Sequence, residues 1–152
     1  MKILDTNVLS ELLRPKRDER VVAWVDAQPL AELFLTAITE AELRYGIAAM
    51  PNGKKKNALE ADVHAILQQE FAGRILPFDS NAAIEYAAIV SQRRTLGQPI
   101  SQFDAHIAAI ARANRAQAIV TRNVDDFASI GVEIVNPWTT PSIARFSTSA
   151  KP

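Results

Sequence analysis

Three carboxylic acids stand where a folded chain can bring them together. Asp5 directly follows the short apolar run Ile3-Leu4, Glu42 comes three residues after Thr39, and Asp104 comes three residues after Ser101. If each acid lies at the start or exit of its element, all three face one rim of the molecule. Converging carboxylates raise one another's pKa, and proteins tolerate them where a bound cation neutralises the charge. Oxygen donors without His or Cys companions select Mg²⁺, with Mn²⁺ able to replace it, over zinc. Such a cation suits phosphate chemistry, because it clamps phosphodiester oxygens and acidifies a bound water. Structural duties compete with this chemistry at each position. Thr39 with Glu42, and Ser101 with Asp104, have the capping-box spacing, and Asp5 followed by Thr6 and Asn7 could cap a helix. Spacing alone leaves cap and ligand both open.

The elements that must position these acids read as short apolar runs alternating with helical periods, the pattern of an α/β domain with a mainly parallel sheet. Strands are expected at Ile3-Leu4 and over residues 33–38, 75–78, 118–121 and 132–135. Pro77 argues for an edge position for the third, since proline removes a ladder donor. Helices are expected over residues 7–13, 19–27, 40–50, 55–71, 81–96 and 102–115. Ser80 and Ser101 supply starts, whereas Gly73, Gly97 and the prolines at 15, 29 and 51 supply stops. Right-handed crossovers put helices on both faces of the sheet. In such sheets the site lies beyond the carboxyl ends of the strands, where strand order reverses. That rule selects Asp5 after the first strand and Thr121-Arg122-Asn123 after the fourth.

Composition sets the frame. With 152 residues, 48% apolar and 22% charged, the chain can build a real core, which excludes disordered and collagen-like classes. One domain is expected over residues 1–146, with a small polar tail at 147–152. The absence of Cys fits a reducing compartment. No apolar run reaches the length of a signal peptide core or a membrane span, so a cytoplasmic protein with no membrane partner is expected. Seventeen basic and seventeen acidic side chains cancel, so a nucleic acid would be held by local patches rather than by a global field. Basic runs occur at 14–20, 54–56 and 93–94, and read mostly as solvated faces. Arg44 and Arg122 lie nearer the expected rim and are the better candidates for phosphate contacts. His106, two residues beyond Asp104, points away from it on a helix and is expected to be a packed or surface side chain rather than a general base. Trp24 and Trp138 read as core or interface aromatics. The apolar faces of the first two helices, with Leu9, Leu12, Leu13, Val21 and Val25, mark a partner groove if part of them is exposed.

The wording of four segments adds to this. Residues 4–11 (LDTNVLSE), 36–46 (TAITEAELRYG), 103–109 (FDAHIAA) and 120–127 (VTRNVDDF) resemble, in order and spacing, the four motifs of PIN-domain ribonucleases. More narrowly they are similar to VapC-type toxins of type II toxin-antitoxin systems, nearest the FitB-like branch. Residues 20–24, 52–57, 72–79 and 136–138 support that narrower match, which runs from residue 1 to about 138.

The resemblance implies a three-layer α/β/α PIN-like domain with a five-stranded sheet, acting as an Mg²⁺-dependent endoribonuclease toxin. Asp5, Glu42 and Asp104 would be its metal-binding and catalytic acids, with Asp5 and Asp104 as direct ligands. Thr6 and Thr121 would support them by hydrogen bonding. A fourth acid often follows the Thr-Arg pair in this family; here the position is Asn123, and Asp126 is the acid that could compensate. Also implied are an antitoxin protein on the apolar groove, DNA contact only through the antitoxin complex, and a homodimer or higher assembly. A recessed rim would select single-stranded RNA. The alternative is a catalytically weak or inactive PIN-like module that binds nucleic acid within a regulatory complex, a reading that Asn123 favours. A phosphoacceptor receiver domain is disfavoured, because paired acids near the first strand and a late Lys are missing.

Overall fold

The computed structural model describes residues 1–140, and the boundary expected after residue 146 lies outside them. Its strands are β1 (Lys2–Leu4), β2 (Leu33–Thr36), β3 (Ile75–Leu76), β4 (Ala118–Val120) and β5 (Glu133–Val135). They form one sheet in the order β3-β2-β1-β4-β5, with every neighbouring pair parallel. The chain between them forms α1 (Thr6–Leu12), α2 (Glu19–Asp26), α3 (Ala37–Ala48), α4 (Lys54–Ala65), α5 (Ser80–Thr95) and α6 (Gln102–Ala113). Short 3-10 turns at Leu30–Glu32 and Val124–Phe127, and a π turn at Ile66–Glu70 that prolongs α4, complete the described elements.

Side chains alternate across each strand, and that period sorts the apolar residues into two cores. Leu4, Leu33, Leu35 and Val120 face α1 to α4, whereas Ile3, Phe34 and Ile119 face α5 and α6. The result is the expected three layers. Helix α6 is buried over Ala105 and the whole run Ile107–Ala111, and its alanines let it lie close to the sheet. Each fully buried Ile or Leu contributes roughly 1.5–3 kcal/mol, so the central pairing Ile3↔Ile119 anchors β1 to β4. The expected edge position of β3 is observed, although the strand ends before Pro77.

Two helix caps differ from the sequence reading. Strand β2 stops at Thr36, whose hydroxyl accepts from the Thr39 amide (3.1 Å) and caps α3 three residues earlier than expected. Thr39 is therefore not the cap, and Glu42 falls in the second turn, where a capping duty is no longer open to it. Likewise Asp79, rather than Ser80, caps α5 by accepting from the Ala82 amide. In both cases a residue ahead of the expected cap, by three positions at Thr36 and by one at Asp79, has an extended backbone and an oxygen within reach of a free amide, which is what a cap requires. The end of α5 is as expected: Gly97 takes φ +69°, and Gln98 N–H reaches back to the Arg93 carbonyl.

Candidate active site

Strand order reverses between β1 and β4, and the residues just past both strands meet there. The Asp5 amide donates to the Val120 carbonyl (2.9 Å), which extends the β1–β4 pairing by one step and fixes the Asp5 backbone. Its carboxylate caps α1: one oxygen accepts from the Thr6 amide at 2.7 Å. The other accepts from Asn7 Nδ2 (2.8 Å) and from Thr121 Oγ1 (2.7 Å). Asp5 is thus both cap and site residue. Asn7 ties the whole corner together, because its Nδ2 also donates to Thr121 Oγ1 and its Oδ1 accepts from the Arg122 amide. Glu42, on α3, accepts from the Thr6 hydroxyl. Asp104 follows the Ser101 cap of α6 as expected, and its carboxylate accepts from Ser101 Oγ at 2.5 Å.

Asp5, Glu42 and Asp104 line one open cleft of about 500 Å³, together with Thr6, Asn7 and Asn123. Burial pushes the Asp5 carboxyl up from its ordinary 3.8 to about 6, opposed by the Thr121 and Thr6 hydrogen bonds and reinforced by the charges of Asp104 and Glu42. Burial also raises Asp104, which Ser101 lowers and Asp126 raises further. A carboxylate held uphill in this way gains from a cation. Among the described residues, however, no three His, Cys, Asp or Glu side chains stand close enough to form a ready metal cage. The donor chemistry still fits Mg²⁺. That ion keeps several waters and takes one or two carboxylates directly, so acids spaced around an open cleft suit it and a closed cage is not required.

The structure separates the other expected site residues. Asn123 lines the acid cleft and also a neighbouring cavity of about 420 Å³, whose wall includes Asp126. Asp126 acts on Asp104 through its charge without lining the acid cleft. Arg122 stands on the wall between the two cavities. Arg44 lies elsewhere: it pairs with Glu40 one helical turn away (2.8 Å) and lines a separate pocket beside α4. His106 packs as expected, stacked on Tyr86 at 4.8 Å and edge-on to Phe78 at 4.7 Å. Trp24 packs partly buried against the core. Of the basic runs, Lys56 donates to the carbonyls of Ala48 and Met50 at the end of α3. Arg93 is buried, with its guanidinium on the Ala128 carbonyl.

Sequence reasoning gave no role to Asn7 or Glu11. Glu11 lines the cleft but is buried; it accepts from the Asp18 amide (2.8 Å) and from Arg14, and the first of these holds its pKa below the usual range. The signal was present: an acid three residues after Val8, on the same face of α1 as that buried side chain. The open apolar groove overlaps the expected one at Leu13 alone. Leu9 and Val21 are buried and Leu12, Leu13 and Val25 pack against the same core. The open apolar groove, about 550 Å³, instead runs between the end of α1, α3 and α4, past Leu13, Leu43, Ile47, Met50, Leu59 and Val63. It shares Thr6, Ser10, Arg14 and Glu42 with the acid cleft.

The PIN domain model matches residues 2–133, and the chain belongs to that family. Within the family it is similar to the VapC ribonuclease Y4jK of Sinorhizobium fredii, 44% identical over 91% of this chain and 98% of the relative. It is 47% identical to toxin FitB of Neisseria gonorrhoeae, over 91% and 99% of the two chains. The solved structure of FitAB bound to an IR36 DNA fragment superposes with a TM-score of 0.88 at 45% identity, covering 93% of this chain and 98% of that one. Among the described residues no helix is long and apolar enough to cross a membrane.

Proposed function

We propose that the chain is an endoribonuclease dependent on Mg²⁺ or Mn²⁺, acting as the toxin of a type II toxin-antitoxin system in the cytoplasm. The observation that carries this is the Asp5 carboxylate at the switch point, held by donors on both oxygens and raised by burial and, to a lesser degree, by neighbouring acids. Relatives named as a VapC ribonuclease and as toxin FitB support the same reading. Asp5 and Asp104 would hold the cation, which when bound supplies charge neutralisation at a scissile phosphate and an acidified water. Thr121, Thr6 and Asn7 keep the Asp5 oxygens aimed, and Ser101 does the same for Asp104. Glu42, which accepts from the Thr6 hydroxyl, would orient the attacking water and accept its proton. An antitoxin segment would occupy the groove between α1, α3 and α4, where it abuts the catalytic wall, and DNA would be reached only through that complex. The assembled form would be a homodimer or higher.

A fluorogenic single-stranded RNA tests the chemistry. Cleavage should vanish with EDTA, return with Mg²⁺ or Mn²⁺, and fall at least ~100-fold in Asp104→Asn with the fold retained. Cleavage that survives both changes overturns the reading. The second reading, a binding module without chemistry, is favoured by the uncharged Asn123 in the cleft wall. It is decided by calorimetric titration of Mg²⁺ or Mn²⁺ into native protein and Asp5→Asn: a module shows no specific binding that the substitution removes.

A further inference from the structure

We propose that Arg122 is the anchor for a backbone phosphate of a single-stranded polynucleotide at the cleft, and that Trp138 is the positioning residue that holds it there. The inference rests on the ribonuclease reading above. Arg122 is exposed on the wall shared by the acid cleft and the cavity beside it, so a strand crossing from one to the other passes its side chain. Three contacts fix it. Its amide donates to Asn7 Oδ1, its carbonyl accepts from Asn136 Nδ2 (3.4 Å), and its guanidinium carbon lies 4.3 Å from the centre of the Trp138 ring. Trp138 is only 5% exposed and is itself fixed, since its amide donates to Asn136 Oδ1 at 3.0 Å.

This arrangement differs from that of the other cation on the cleft. Arg14 is paired with Glu11 at 3.1 Å. The carboxylates that feel the Arg122 charge, Glu11 and Asp18, are taken up by Arg14 and Arg20. Among the described residues Arg122 makes no ion pair. A guanidinium stacked on an indole keeps its in-plane N–H edge available, and that edge matches a phosphate bidentately. Because the indole is buried, the charge is held in one place before the substrate arrives.

The test is anisotropy of a fluorescein-labelled single-stranded oligoribonucleotide, at several salt concentrations, in the cleavage-deficient Asp104→Asn background with Mg²⁺. Arg122→Ala should weaken binding about tenfold and reduce the salt slope by about 0.7, the share of one single-strand phosphate contact. Arg122→Lys keeps the charge but not the fork or the stack, and should recover less than half of that loss on the logarithmic scale. Trp138→Phe preserves a ring and should bind nearly as the parent. Trp138→Leu should lose most of what Arg122→Ala loses, with the double variant no worse than Arg122→Ala alone. In the Asp104 background restored to wild type, the losses should fall on KM rather than kcat. RNA binding with a salt slope unmoved by Arg122→Ala overturns the inference alone, as do additive losses in a double variant that melts like its parent. Arg122, being exposed, gives its answer even if Trp138→Leu fails to fold. An absence of both RNA binding and RNA cleavage in the wild type overturns the ribonuclease reading and the inference with it.

Discussion

At the residue scale the site is a compromise concentrated in Asp5. Its carboxyl is 5% exposed yet accepts three hydrogen bonds, which favour the ionised form that burial disfavours. Burial dominates, and raising the pKa from 3.8 to about 6 costs about 3 kcal/mol when the group is ionised at pH 7. A carboxyl raised on folding favours the fold most when protonated, so its contribution is complete below about pH 4 and is lost as pH rises through about 6. In EDTA, the thermal midpoint of the wild type should therefore drop between pH 4 and 7 relative to Asp5→Asn, and Mg²⁺ at pH 7 should recover the difference. Calorimetry should also show cation affinity falling below pH 6, where protons compete for the same oxygens. A wild-type profile parallel to that of the variant would show that Asp5 does not titrate in this window. The sequence announced Asp5 through its place at a strand exit. It gave less warning of Asn7, whose importance comes from bonds to Thr121 and Arg122, more than 110 residues away in the chain.

At the element scale, what holds the acids is capping and anchoring more than helix propensity. Asp5 caps α1, Ser101 caps α6, and Thr36 caps α3, so the starts of three helices converge on the carboxyl end of the sheet. Periodicity located all six α-helices and all five strands but misassigned the caps of α3 and α5, because a run such as Thr36-Ala37-Ile38-Thr39 offers two hydroxyls at plausible caps and only tertiary packing chooses between them. That single shift decides the standing of Glu42, which spacing alone had left open as a cap. Arg93 is a second case. Residues 82, 86, 89 and 93 form the inward stripe of α5, and a cation in that stripe signals a tether rather than a solvated charge. Its guanidinium binds the Ala128 carbonyl (2.5 Å) and reaches Asp125, fixing the turn at Val124–Phe127. Arg93→Met should lower unfolding stability by roughly 2 kcal/mol, since it deprives the half-buried Ala128 carbonyl of its donor. Arg94→Met, on the exposed side, should stay within about 0.5 kcal/mol. Urea midpoints of the two variants check the contrast, and equal shifts would remove Arg93 from its structural role.

At the scale of the whole molecule, charge balance shapes how a polyanion can be held. Seventeen cations offset seventeen anions, and the cations nearest the cleft reduce to Arg14, already paired, and Arg122. RNA affinity should accordingly depend only weakly on salt, with a log–log slope of about −1 to −2, since each single-strand phosphate contact contributes about −0.7. A slope steeper than about −4 in equilibrium binding would mean that a larger basic surface participates. The layered α/β architecture and the switch-point location of the site were legible in the sequence, because both follow from strand alternation and crossover handedness. The placement of the apolar groove was not. Apolar counts on α1 and α2 gave the amount of surface to cover, but only the packing of α2 against α1 and the sheet shows that Val21 and Val25 are already used.

The bond between Thr121 and Asp5 spans 116 positions of the chain. During synthesis the first strand leaves the ribosome long before the fourth, and until the fourth docks beside it the acidic corner lacks its floor. On the proposed ribonuclease reading, a nascent chain therefore lacks the completed site for most of its translation. An antitoxin of the proposed kind would be needed only as the last strands emerge.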